Sequence, residues 1–194
     1  EVAYEATASG NLCRRPIEWL RTLYRRDDLD GLLPLGQLHP LALPGESYKL
    51  AFTPGLLTQV FQRDGQSLLP DPTAALAGQA GDRGGYRQSQ TLKAAGHFPA
   101  TDADGHWWVP SGQSFFTPHP ADDAATELTQ ARRHFYQTRR YRDPLGQDAF
   151  VDFDAYDLLT VETRDALGNR ITVDANDYRV LQPTLIMDPN RNRA

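Results

Sequence analysis

Three near-copies of one turn stand in the second half of the chain: RDPLGQ at 142–147, RDALGN at 164–169 and MDPNRN at 187–192. Their aspartates, Asp143, Asp165 and Asp188, are 22 and 23 residues apart, and Asp154 with Asp177 and Leu158 with Leu181 recur at 23. Whole units therefore repeat. Self-similarity at such a period marks a repeat architecture, and since a lone hairpin is marginal in water, each unit must pair with its neighbours.

In Asp143-Pro144-Leu145-Gly146 the residue types fit a type I turn place by place. Aspartate accepts backbone N–H groups, proline presets φ at the second place, and Gly146 supplies positive φ at the fourth. A left-handed residue there closes a hairpin with a bulge. Asp165-Ala166-Leu167-Gly168 keeps this logic without the proline. In the third copy, which ends at Asn192, Arg191 stands in the glycine place, where left-handed backbone costs about 1–2 kcal/mol. That leaves the turn opened by Asp188 free to adopt a different type. Between turns, Leu159, Val161 and Thr163 alternate with Thr160, Glu162 and Arg164 at the period of a strand. Asp143, Gly146, Asp165, Gly168, Asp188 and Asn192 are thus the turn residues of a strand-turn-strand series over 134–194.

Residues 1–133 are different in kind. Pro34, Pro40 and Pro44, with Gly36 and Gly45, refuse a long helix. The stretch PIEWLRTLYRR (16–26) fits either a helix opened by Pro16 or a strand through Thr22-Leu23-Tyr24. Tyr48 to Phe52 reads as a short strand, and Thr53-Pro54 as the cap and first residue of a helix over GLLTQVF. From Gln62 to Gly105 no period persists, so a long loop or insertion is expected. Trp107-Trp108-Val109 resumes a strand, Pro110-Ser111-Gly112 turns, and Phe115-Phe116 opens the next strand. A helix is expected over 122–132, with Asp122 and Asp123 at its positive end and Arg132-Arg133 at the other. The fold class that follows is mainly β with a few short helices, in two regions, 1–133 and 134–194, the second a curved antiparallel sheet.

Composition excludes several classes. A net charge of -5 over 194 residues, with a pI near 5.5, argues against a general nucleic-acid partner, which needs a basic face for phosphates. The arginine pairs, such as Arg25-Arg26 and Arg139-Arg140, have acids nearby and read as solvated faces. Cys13 is the only cysteine, which rules out an internal disulfide and a thiolate zinc cluster. No apolar run approaches the roughly 20 residues that span a bilayer, so no direct membrane contact is expected, and no signal peptide opens the chain. The chain begins at Glu1 and stops at Ala194 within a repeat, and reads as a segment of something longer.

The runs FDAYDLLTVETRDALGNR (153–170) and NDYRVLQPTLIMDPNRNR (176–193) resemble the YD, or Rhs-type, repeats of the B component of bacterial insecticidal toxin complexes (Tc toxins). RTLYRRDDLDGLLPLG, ALPGESYKLAFTPGLL and WWVPSG are similar to the middle region of the same component. The likeness is weakest over 62–105, which looks like an insertion. In that family the B component, joined to its C partner, forms a hollow shell of spiralling β-strands around the cytotoxic part of the C protein. A separate propeller of the B component docks on the pore-forming A component, which injects the cargo. The resemblance implies that this chain is a segment of the shell wall, secreted as part of the toxin complex, with the C component and its enclosed toxin as partners. The A component would be reached through other parts of the parent chain. It implies no cofactor and no catalysis, and a wall with water or cargo on either side, whose two faces hydrophobicity alone does not tell apart.

Chemistry-bearing patterns are sparse beside this reading. His39, His97, His106, His119 and His134 form no H-x-x-x-H pair, and neither a P-loop nor a G-x-S-x-G elbow occurs. Asp102-x-Asp104-Gly105 has two places of a calcium loop without its closing glutamate, and reads as a solvated turn. Two alternatives remain. A cell-surface or glycan-binding YD-repeat module would use Trp107 and Trp108 as stacking platforms; adjacent strand residues face opposite ways, so one of the two is expected in the core and the other at an interface. A glycosidase would need two carboxyl groups across a cleft, from Asp152, Asp154 and Asp157, although the recurrence of Asp154 as Asp177 points to a structural role.

Overall fold

Short apolar stretches broken by proline and glycine build a small antiparallel sheet in the first of two units, which comprises 1–26 and 31–111. The computed structural model describes residues 2–3, 5–10, 12–77 and 84–194. In chain order the first unit contains β1 (Leu20–Tyr24), β2 (Pro44–Phe52), α1 (Pro54–Val60), β3 (Gln62–Arg63), β4 (Gln66–Ser67), α2 (Pro72–Leu76), β5 (Arg87–Gln88), α3 (Ser89–Ala94) and β6 (Trp107–Pro110). Its main sheet has the order β1-β2-β6-β5. The ambiguous stretch 16–26 thus carries a strand at Leu20–Tyr24 and no helix, and α1 starts where its cap predicts, with Thr53 Oγ1 accepting from the Leu56 N–H at 3.1 Å.

The stretch 62–105 corrects the sequence reading: it is not a featureless loop. Asp64 and Gly65 both have positive φ, the geometry of a type I′ turn, and they join β3 to β4. Asp71 caps α2 through the Thr73 and Ala74 N–H groups. Strand β5 pairs with β6, and α3 with the turn after it sends Leu92 and Phe98 into the core beside Leu23, Tyr48 and Trp108. Elements of two to six residues are too short to show a period, which is why pattern alone missed them.

At the centre of this unit the Arg21 guanidinium lies 4.5 Å from the Trp19 ring, 4.5 Å from Phe98 and 4.8 Å from Trp108. Asp102 pairs with it. Desolvation strengthens the contact of the cation with the rings, and loss of the carboxylate would leave a buried charge uncompensated. The Trp108 indole also donates to Ser89 Oγ at 3.0 Å.

The second unit comprises 27–30 and 112–194. It contains β7 (Gln113–Phe115), α4 (Ala124–Arg133), β8 (Arg140–Arg142), β9 (Asp148–Phe153), β10 (Thr160–Arg164), β11 (Arg170–Asp177) and β12 (Gln182–Met187). The six strands form one antiparallel sheet in chain order from β7 to β12, with α4 between β7 and β8. Asp123 caps α4 by accepting from the Thr126 N–H at 2.8 Å, and the helix spans 124–133 instead of 122–132. The sequence reading placed its boundary after 133, whereas β7 and α4 belong to the same compact unit as the repeats.

Gly112 enters β7 at a φ of +86°, and a Cβ there would lie 2.4 Å from the Arg142 carbonyl oxygen. Gly112→Ala is therefore expected to destabilise the second unit by about 2–4 kcal/mol, left-handed strain and a backbone clash acting together, as read from urea unfolding.

Candidate functional site

All three repeated turns have one geometry. The Gly146 N–H donates to the Asp143 carbonyl at 3.0 Å, Gly168 to Asp165 at 3.1 Å and Arg191 to Asp188 at 2.9 Å. In each, one carboxylate oxygen accepts two further N–H groups: Leu145 and Gln147 on Asp143, Leu167 and Asn169 on Asp165, Asn190 and Asn192 on Asp188, all at 2.8–2.9 Å. The Asn169 and Asn192 side chains each add a bond to the second carboxylate oxygen at 2.8 Å. The third turn keeps the type of the other two, contrary to the latitude the sequence allowed it, because these bonds hold Arg191 left-handed at φ +66°. Arg191→Gly is accordingly expected to raise stability by about 1 kcal/mol, measured as a higher urea midpoint.

The opposite end of the sheet uses the same device. Asp154 opens the β9–β10 connection by accepting from Tyr156, Leu158 and Leu159 N–H groups, and Asp177 opens the β11–β12 connection by accepting from Arg179 N–H. Every connection from β8 to β12 thus begins with an aspartate, at 143, 154, 165 and 177, and Asp188 opens the turn after β12, a half-period of 11 or 12 residues. The two units of the repeat also touch, since the Tyr178 hydroxyl donates to Asp154 at 2.8 Å and the Tyr156 and Tyr178 rings meet edge to face at 5.9 Å.

These contacts set the acid strength of the carboxyls. The side-chain amide of Asn169 holds Asp165 below the ordinary carboxylate range, and that of Asn192 does the same for Asp188. At Asp154 partial burial works upward, but the Leu158 N–H, the Tyr178 hydroxyl and two further N–H groups outweigh it. The hydrogen bond from Arg142 lowers Asp148, with the charge of Arg140 adding to it.

Sequence reasoning missed one cluster altogether. Asp157 has left-handed backbone at φ +55°, and its carboxylate takes His134 Nδ1 at 2.8 Å and the Arg139 guanidinium, while its carbonyl accepts from the Gln137 side chain. The bond from His134, then the nearby charges of His134 and Arg139, lower the Asp157 carboxyl. The three partners lie within the α4–β8 connection, so the cluster ties that segment to the β9–β10 turn. Only the pairing of β8 with β9 reveals it.

Strand partners share a face, which sorts the sheet. Phe115, Arg140, Phe150, Arg164 and Arg170 lie on one face with Arg142, Asp148 and Glu162, and Val151, Thr163, Ile171, Val173 and Ile186 on the other. The first face carries a ladder of cations on rings: Arg140 is 3.8 Å from Phe115, and Arg164 4.6 Å from Phe150. The faces therefore differ in character, correcting the expectation that hydrophobicity would not separate them. Neither is packed as a core over β9–β12, where no strand residue is fully buried.

The tryptophan expectation is also corrected. Trp107 and Trp108 are both only 2% exposed, because the sheet of the first unit is covered on both faces at β6, so neither ring can stack on a sugar. Asp102 and Asp104 are engaged by cations, Asp102 by Arg21 and Asp104 by Lys93 at 2.5 Å. Of the three candidate glycosidase carboxylates, Asp154 and Asp157 are occupied by turn and ion-pair bonds, and Asp152 stands exposed on β9. Among the described residues no group of three or more His, Cys, Asp or Glu side chains could hold a metal ion, and no helix is long and apolar enough to cross a membrane.

A mainly antiparallel β chain of this build has counterparts of the same fold within much larger chains of solved structure. No family model matches the sequence, and no curated protein matches it. A chain in the crystal structure of TcdB2-TccC3-Cdc42 superposes with a TM-score of 0.56 at 20% identity, over 90% of this chain and 7% of that one. The crystal structure of TcdB2-TccC3 gives 0.54 at 18%, and the Tc holotoxin pore of Photorhabdus luminescens 0.56 at 21%, with the same coverage. These TM-scores show a shared fold, and the chain spans about 7% of the length of the chains it matches.

Proposed function

We propose that this chain is a structural, non-enzymatic segment of the B component of a toxin complex, part of the wall of a hollow shell that encloses the cytotoxic part of the C component. The observation that carries this reading is the sheet of the second unit. Its connections are held by local aspartate bonds, its strands add one to the next in chain order, and β9–β12 cover neither face with a core. Such a sheet is suited to extension by further strands and to a wall with something on each side.

The mechanism is steric. A wall of paired strands leaves no free backbone edge and blocks proteases, which shields the producing cell from its own toxin until the A component, reached through other parts of the parent chain, delivers it. Secretion as part of the complex, and the absence of catalysis and cofactor, belong to the same reading. Burial of Trp107 and Trp108 leaves the glycan-binding alternative without its contacts.

Protease protection tests the proposal. The parent protein co-purified with its C component should keep the toxic portion intact under trypsin. Replacing 148–187 with a glycine-serine linker should open the wall and expose that portion to cleavage, whereas equal protection in both would refute a wall role for this sheet.

A further inference from the structure

Among the three repeated turns, only the last places a side chain in the left-handed slot. Gly146 and Gly168 sit there at φ +86°, and Arg191 at +66°. A backbone outlier kept where glycine serves elsewhere points towards a use for the side chain. The Arg191 side chain lines an open groove of about 310 Å³ between the second and third turns, together with Arg170, Thr172, Met187 and Asp188.

The polar groups of that groove are unevenly committed. Asp188 is taken, accepting from the Asn190 and Asn192 N–H groups and from the Asn192 side chain. Arg170 reaches Glu162 only at long range, 3.4 Å to each carboxylate oxygen, and is more than half exposed. Arg191 has no ion pair among the described residues, and the nearby Arg193 is drawn to Asp174 at 3.6 Å. Thr172 Oγ1 is buried without a hydrogen-bond partner, an arrangement that costs free energy unless something supplies one. Arg170 and Arg191 thus line a groove whose one carboxylate is already saturated.

We propose that this groove binds an oxyanion, the carboxylate or phosphate group of a ligand, between the Arg170 and Arg191 guanidinium forks. Planar forks match such groups with two parallel bonds each, and the flanking turns fix the backbone from which the two side chains reach. The inference stands on the groove alone and is independent of the wall role.

The test is a two-dimensional NMR titration of the chain with inorganic phosphate and, separately, with N-acetylglutamate. Saturable shifts confined to 168–172 and 187–191 are expected. Response to phosphate alone assigns a phosphoryl ligand, response to N-acetylglutamate alone an acidic side chain, and either supports the site. Arg191→Gly keeps the turn, since glycine takes the slot without strain, so it separates binding from folding. It and Arg170→Gln should each weaken binding about tenfold. No saturable shift with either probe, or binding unchanged in both variants, overturns the proposal.

Discussion

Trp108→Ala is expected to lower the stability of the first unit by about 3–5 kcal/mol, the cost of deleting a large aromatic side chain from a packed core. Trp108 is in edge-to-face contact with Trp19 at 5.5 Å and Phe98 at 5.1 Å, carries the Arg21 guanidinium, and bonds Ser89. Its removal leaves a cavity, a guanidinium with one ring fewer, and a buried hydroxyl without its donor. Trp108→Phe keeps most of the packing and loses the Ser89 bond, for which about 1–2 kcal/mol is expected. Urea unfolding followed by circular dichroism reads both, and a change below about 1 kcal/mol for the alanine variant would contradict the packing described. Because Trp107 is equally buried, any binding lost in a tryptophan-to-alanine variant reports unfolding in the first place.

Acid is expected to undo the second unit before the first. The carboxyls of Asp123, Asp148, Asp154, Asp157, Asp165, Asp177 and Asp188 all lie below their ordinary values, and all seven are in the second unit. A carboxyl with a depressed folded pKa contributes stability that is complete above its unfolded value, about 4, and is lost as pH falls through the folded value. The urea midpoint of the second unit should therefore be flat from pH 7 to about 5 and fall steadily below about 4. Asp165→Asn, which retains an acceptor without a titrating charge, should be less stable at pH 7 and lose less on acidification. A midpoint unchanged down to pH 3 would show that the aspartate bonds do not hold the turns.

The repeat was legible because its signal is chemical and local. An aspartate with a glycine three residues on specifies both the turn and its bulge, and the Thr53 and Asp123 caps likewise lie beside the N–H groups they serve. The Arg21 box was not legible, since Phe98, Asp102 and Trp108 lie some 80 residues beyond Arg21 and only the pairing of β1, β2 and β6 brings them together. The same holds for Asp157, whose pairing with His134 and Arg139 turned a candidate catalytic carboxylate into a clasp. The burial of both tryptophans escaped period-2 reasoning, which assumes one covered face, whereas β6 is a central strand covered on two.

The most direct measurement of the central claim is an electron cryomicroscopy map of the parent protein assembled with its C component. The account predicts that β7–β12 lie within a closed wall, with β12 paired to a further strand and density for enclosed polypeptide on one side of the sheet. A map in which this sheet instead packs on the core of another domain, or stands outside any enclosure, would contradict it.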